Sequence, residues 1–85
     1  MIVYAVEFSP QATRFFRKLP KDIQERIKNK FKEVAEEPFH YLEHYEGADS
    51  YKLRIGDYRA LIDVDFENKI LLVRVLDLRG RIYKR

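Results

Sequence analysis

Nine residues, Tyr51-Lys52-Leu53-Arg54-Ile55-Gly56-Asp57-Tyr58-Arg59, constrain the fold of this 85-residue chain more than any other stretch. Gly-Asp is a favoured two-residue turn between antiparallel strands. With Gly56-Asp57 at the tip, Ile55 pairs with Tyr58, Arg54 with Arg59, Leu53 with Ala60 and Lys52 with Leu61. Side chains alternate across a strand, so one face receives Tyr51, Leu53, Ile55, Tyr58, Ala60, Ile62 and Val64. The opposite face receives Lys52, Arg54 and Arg59. A second turn, centred on Glu67-Asn68, pairs Val64 with Leu71, Ile62 with Val73 and Ala60 with Val75. Both turns select the same apolar face, and a one-residue slip in either would expose it. Strands are therefore expected at about 51–56, 58–65 and 70–77.

The first half of the chain reads differently. Val3 to Phe8 suits a strand. Ser9-Pro10 then opens a helix, Ser as N-cap and Pro at the first helical position. Ala12, Phe15, Phe16 and Leu19 form its apolar stripe. Pro20 ends that helix and opens another, in which Ile23, Ile27, Phe31 and Val34 recur at three- and four-residue spacing. Its remaining face, rich in Lys and Glu, is expected to be solvated. Pro38 closes it, and residues 39–50 are expected to form a loop. The expected fold is α+β: an N-terminal strand and an antiparallel helical hairpin packed on one face of a largely antiparallel four-stranded sheet. A single domain spans residues 1–85.

Composition narrows the function. There is no cysteine, hence no disulfide framework and no zinc–thiolate site. No apolar run approaches 18 residues, so no membrane partner is expected, and the start, Ile2-Val3-Tyr4-Ala5-Val6, lacks a signal-peptide layout. A cytoplasmic protein is the expectation. His40 and His44 flank Glu43, but a loop setting without a third ligand does not make a metal site. Residues 1–50 carry 8 basic and 9 acidic side chains (net −1), whereas residues 51–85 carry 9 and 5 (net +4). That asymmetry favours an acidic partner such as nucleic acid.

Arg54 opposite Arg59 is an unusual choice for a sheet, since opposed like charges destabilise it. At ~5.5 Å two cations repel by roughly 1–3 kcal/mol for dielectrics between ~80 and ~20. Two readings remain: a solvated face partly neutralised by Asp63 and Asp65, or an anion site. The tail, Arg79-Gly80-Arg81-Ile82-Tyr83-Lys84-Arg85, brings further cations and a tyrosine. No Ser-His-Asp or Cys-His set and no glycine-rich phosphate loop is present. Guanidinium and ammonium groups with a tyrosine suit phosphodiester cleavage without a metal. When a 2′-hydroxyl attacks phosphorus, fixed cations stabilise the charge that builds on the phosphorane oxygens. Among cations the phenolate of Tyr83 is favoured, which suits proton transfer; the alternative is an aromatic that covers the edge of the core.

The element order, Gly47, the Tyr51–Arg59 block and the closing Arg79-x-x-x-Tyr83 together resemble the RelE family of toxin–antitoxin toxins, over the whole chain. Active members of that family are ribosome-dependent endoribonucleases that cut mRNA in the A site and are silenced by an antitoxin. The resemblance implies no cofactor, and a RelB-like antitoxin, the ribosome and mRNA as partners, with toxin and antitoxin forming a hetero-oligomer. It implies Lys52 and Arg54 as phosphate contacts that aid proton transfer, and Arg59 as the arginine that stabilises the transition state. Arg79 matches the late arginine credited with phosphate stabilisation or leaving-group protonation, and Tyr83 the tyrosine of stacking or base chemistry. Arg81, Lys84 and Arg85 are auxiliary RNA-binding candidates. Leu78 stands where many relatives have histidine, so histidine-dependent chemistry is not expected. Two alternatives remain: a gyrase-poisoning toxin like ParE, whose members lack most of this basic set, and an inactive relative kept as a binding module.

Overall fold

The computed structural model describes residues 2–44 and 50–78. The elements run β1 (Ala5–Phe8), α1 (Pro10–Arg17), α2 (Lys21–Glu36), α3 (Pro38–Tyr41), β2 (Glu43–His44), β3 (Ser50–Ile55), β4 (Tyr58–Asp65) and β5 (Ile70–Leu78). The class is α+β as expected, but among the described residues the sheet has five strands, ordered β1-β5-β4-β3-β2, rather than four. The added strand lies within the expected loop at 39–50, and α3 begins at Pro38, the residue expected to close the preceding helix, and runs into that loop. A two-residue strand carries no hydrophobic period, and α3 starts from a Pro at its first turn, the one helical position where the missing N–H costs nothing. All described pairings are antiparallel except β1 with β5, which is parallel. No helix among the described residues is long and apolar enough to cross a membrane.

Local chemistry accounts for the helices. Ser9 is extended and its Oγ accepts from the Ala12 N–H at 3.1 Å, capping α1 with Pro10 behind it. The Gln24 side chain reaches back from α2 and donates to the carbonyls of Phe16 and Leu19 at 3.0 and 3.1 Å. It thereby ties α2 to the turn that ends α1, adding a second donor to the Phe16 carbonyl, which also accepts from the Leu19 N–H. The core lies between the helices and one sheet face. Ile27 and Val34 from α2 and Ile62, Leu71, Val73 and Leu76 from the sheet are fully buried, with Phe8 meeting Phe16 and Phe31 edge-on at 5.5 Å.

The β3–β4 register is the one expected, Ile55↔Tyr58 through Tyr51↔Ile62. Gly56 alone of the two turn residues has positive φ (+60°), the pattern of a turn with Gly at its first central position. The β4–β5 register departs from expectation part-way. Val64↔Leu71 and Ile62↔Val73 hold, but a bulge between Leu61 and Ile62 then shifts the ladder, giving Leu61↔Val75, Ala60↔Leu76 and Arg59↔Asp77. Ala60 therefore pairs with Leu76, not Val75. Arg74 is the extra residue, and Leu76 takes the buried place.

The shift is held from outside the ladder. β1 ends its pairing at Phe8↔Val73, and the first residues of α1 take over along the edge of β5. The Ser9 N–H donates to the Val73 carbonyl at 2.9 Å and its Oγ to the Arg74 carbonyl at 2.6 Å. Gln11 then behaves like a strand residue: Nε2 donates to the Leu76 carbonyl at 3.2 Å while Oε1 accepts from the Leu76 N–H at 3.1 Å.

Candidate anion-binding and catalytic site

Lys52, Arg54 and Arg59 project from the sheet face opposite the core, because their neighbours Leu53, Ile55 and Ala60 are buried. Two rows cross that face. One runs Glu43, Lys52, Leu61, Val75 and the next runs Arg54, Arg59, Asp77. The arginine pair that the hairpin register dictates is therefore present, with a carboxylate beside it that the unshifted ladder would have placed elsewhere. Asp63 and Asp65, the carboxylates that would partly neutralise a merely solvated face, are engaged otherwise. Asp63 accepts from Ser50 Oγ at 3.2 Å and pairs with Arg74 at 3.4 Å. Asp65 accepts from the backbone of Glu67 and Asn68 and from Asn68 Nδ2, closing the β4–β5 turn. Those bonds, the Asn68 side chain first, hold its carboxyl below the usual range.

Beyond Lys52 the outer edge of β3 passes β2 and opens into a concavity of about 300 Å3, lined by Lys30, Tyr41, Glu43, Lys52, Arg54 and Arg59 among others. Lys30, Tyr41 and Glu43 are the residues that sequence reasoning missed. Lys30 belongs to the face of α2 expected to be merely solvated, and the other two to the expected loop. Glu43 pairs with Lys52 at 3.7 Å. The Lys30 ammonium lies 4.6 Å from the centre of the Tyr41 ring, within cation–π range, and pairs with Glu33 at 3.7 Å. Burial pushes the Tyr41 phenol up, as do the carboxylates of Glu33 and Glu37 and a hydrogen bond to Glu33, so it stays protonated at neutral pH.

The three described cations differ in setting. Arg54 is exposed, whereas Lys52 and Arg59 are half-buried, and Arg59 Nε is enclosed by protein. Arg59 is thus not the wholly solvent-facing residue that its place in the hairpin suggests. Arg79, Arg81, Tyr83, Lys84 and Arg85, together with Gly47, lie outside the described residues. His40 and His44 pack their rings on Tyr41 and Tyr51, at 4.8 and 5.1 Å between centroids. The described site is a concave, cation-rich edge with one carboxylate on its rim. Such an arrangement is chemically able to hold an anion and to exchange a proton beside it.

The family model for the ParE toxin of type II toxin–antitoxin systems matches residues 6–81. The chain belongs to this family. It is a type II toxin of the RelE/ParE superfamily, and its fold is that of solved RelE toxins. The toxin–antitoxin complex RelBE2 of Mycobacterium tuberculosis matches with TM-score 0.80 and 28% identity, over 92% of this chain and 100% of that one. The archaeal RelE–RelB complex of Pyrococcus horikoshii OT3 gives 0.80 and 28%, over 94% and 99%. The intact RelBE complex of Escherichia coli gives 0.77 and 30%, over 92% and 99%. No curated protein matches the sequence.

Proposed function

We propose that this toxin is a ribosome-dependent, metal-independent mRNA endoribonuclease that inhibits translation in the cytoplasm, and that a RelB-like antitoxin silences it in a hetero-oligomeric complex. The observation that carries the reading is the convergence of Lys52, Arg54 and Arg59 on one concave edge, with two guanidinium groups opposed in register. Their mutual repulsion falls when an anion lies between them. A phosphorane carries more charge than a phosphodiester, so the same cations bind the transition state more strongly than the substrate. Lys52 and Arg54 contact phosphate and aid proton transfer, and Arg59 neutralises the charge that builds on the non-bridging oxygens. Among the described residues Glu43 is the one carboxylate lining the concavity, which suits it to accept the 2′-hydroxyl proton while Lys52 holds it in place. Arg79 protonates the leaving group or stabilises phosphate, and Tyr83 stacks on a base or transfers a proton; Arg81, Lys84 and Arg85 add contacts to RNA. The ribosome supplies the in-line orientation of the 2′-hydroxyl that so small a site cannot impose alone, a term worth several kcal/mol. The antitoxin partner is supported by the relatives, whose structures are toxin–antitoxin complexes.

The test is single-turnover cleavage of mRNA on purified ribosomes, together with mapping of mRNA 5′ ends after induction in cells. Cleavage confined to the ribosomal A site is expected, with free RNA left almost intact. A second reading, poisoning of DNA gyrase, is favoured by the family model itself, which describes the ParE toxin. Inhibition of supercoiling by the purified protein, without mRNA cleavage, would select it.

A further inference from the structure

Asp77 lies directly across from Arg59 only because of the β-bulge. Were the ladder to continue in register from Ile62↔Val73, Arg59 would face Leu76, and Asp77 would face Tyr58 on the core side. The shifted ladder moves Leu76 into the core and turns Asp77 onto the cation face, beside Arg59 and in one row with Arg54. Both Asp77 and Arg59 are half-buried there. The Leu78 N–H donates to Asp77 Oδ1 at 2.7 Å, which anchors the carboxylate on its strand. The clasp that Ser9 and Gln11 make on β5 holds the whole arrangement from the far side.

We infer that Asp77 is a positioning residue for Arg59: it offsets the Arg54–Arg59 repulsion in the resting protein, orients the Arg59 guanidinium toward incoming phosphate, and competes with that phosphate for it. The inference rests on the proposed role of Arg59 as a phosphate-binding cation. Its arithmetic is electrostatic. The row carries two positive charges and one negative, so removing the carboxylate leaves two adjacent cations with no acid in their own row. Opposed charge pairs on a sheet are worth enough to measure, and they weaken as salt screens them. A phosphate entering the row meets an attractive guanidinium and a repulsive carboxylate. Without Asp77 it would bind more tightly, yet the guanidinium would no longer be held for the transition state. Binding and rate should therefore move in opposite directions, which loss of structure alone does not produce.

The experiment uses the full chain as Asp77→Asn, Asp77→Glu, Arg59→Gln and the double variant Arg59→Gln/Asp77→Asn. In thermal melts at low salt, Asp77→Asn should lower Tm by about 2–6 °C, by much less at ~0.5 M salt, and hardly at all in the Arg59→Gln background. Asp77→Glu should recover at least half of the loss. Against a short single-stranded RNA oligonucleotide, Asp77→Asn should bind about 3- to 10-fold more tightly than the parent. Its single-turnover cleavage on ribosomes should fall by about 10-fold or more. An equal Tm loss with and without Arg59, or unchanged or weaker RNA binding by Asp77→Asn, overturns the inference. If the parent binds RNA and the melts and affinities behave as stated but neither the parent nor any variant cleaves, the nuclease reading fails and the positioning role stands. If the parent binds no RNA, the competition with phosphate fails together with the proposed role of Arg59, and the melting cycle alone supports or overturns the Arg59–Asp77 pairing.

Discussion

Arg54 and Arg59 share a row of the sheet yet differ in how far water reaches them. Arg54→Ala should leave Tm within ~3 °C of the parent, since exposed substitutions stay within about 0.5 kcal/mol. Arg59→Ala removes a half-buried stem that packs on the sheet and strips Asp77 of its opposing cation. It should cost about 1 kcal/mol, a Tm fall of ~4–8 °C. In single-turnover cleavage both should lose at least ~100-fold, as is usual when a transition-state donor is removed. A stable Arg59→Ala protein with undiminished cleavage would remove Arg59 from the site. At this scale the sequence was legible where alternation alone decides: the facing of Lys52, Arg54 and Arg59 follows from Gly56-Asp57. Lys30, Tyr41 and Glu43 were hidden because they reach the site across the edge of β3, a contact that no local period reports. Asp77 did leave a trace. In an unshifted ladder it would sit on the buried face, and a carboxylate there signals that the ladder shifts.

Turns and clasps carry the predictions at the next scale. Gly56→Ala should cost about 1 kcal/mol through its left-handed backbone, because the added Cβ would meet only Arg26 Nη1, at 3.6 Å. Denaturant melts check this, with Gly56→Asn expected to cost less. Gln11→Ala removes both bonds to the Leu76 backbone and should cost about 2 kcal/mol, or ~8–16 °C in Tm. Gln11→Glu keeps the acceptor but loses the donor, so it should fall between. The β4–β5 turn adds a pH dependence. The Asp65 carboxyl is held below its ordinary value by Asn68 and Glu67, so its contribution to stability is complete above the ordinary carboxylate range. It is lost as pH falls through the lowered value. Acid titration of Asp65→Asn, followed by circular dichroism, should show a smaller loss of stability between pH ~5 and ~2 than the parent. Helices α1 and α2 and four of the five described strands were legible here because each repeats its apolar residues with a period of its own. β2 and α3 were not, being too short to show one.

For the molecule as a whole, charge is the lever. If Lys52, Arg54 and Arg59 each contact one phosphate of single-stranded RNA, raising salt from ~50 to ~200 mM should weaken binding roughly 20-fold, at a slope of ~−0.7 per contact. A flat response would show that these three are not a phosphate site. Cleavage by EDTA-treated protein, with magnesium restored for the ribosome alone, should match that of untreated protein. The α+β plan could be read from the sequence because two turns agreed on one buried face. The parallel closure by β1 could not, since short strand segments carry no sign of direction or of distant partner.

That closure bears on how the protein comes into being. The β3–β4 hairpin joins near neighbours in the chain and can zip as soon as both strands exist. β1 must wait some sixty residues for β5, and the Ser9 and Gln11 bonds span 65. During synthesis, then, Arg54 and Arg59 face each other first, and Asp77 joins their row only when the last described strand emerges and the beginning of the chain folds back onto it. The cations are assembled early and their counterweight late, so the nascent hairpin passes through an interval in which its positive face is at its strongest.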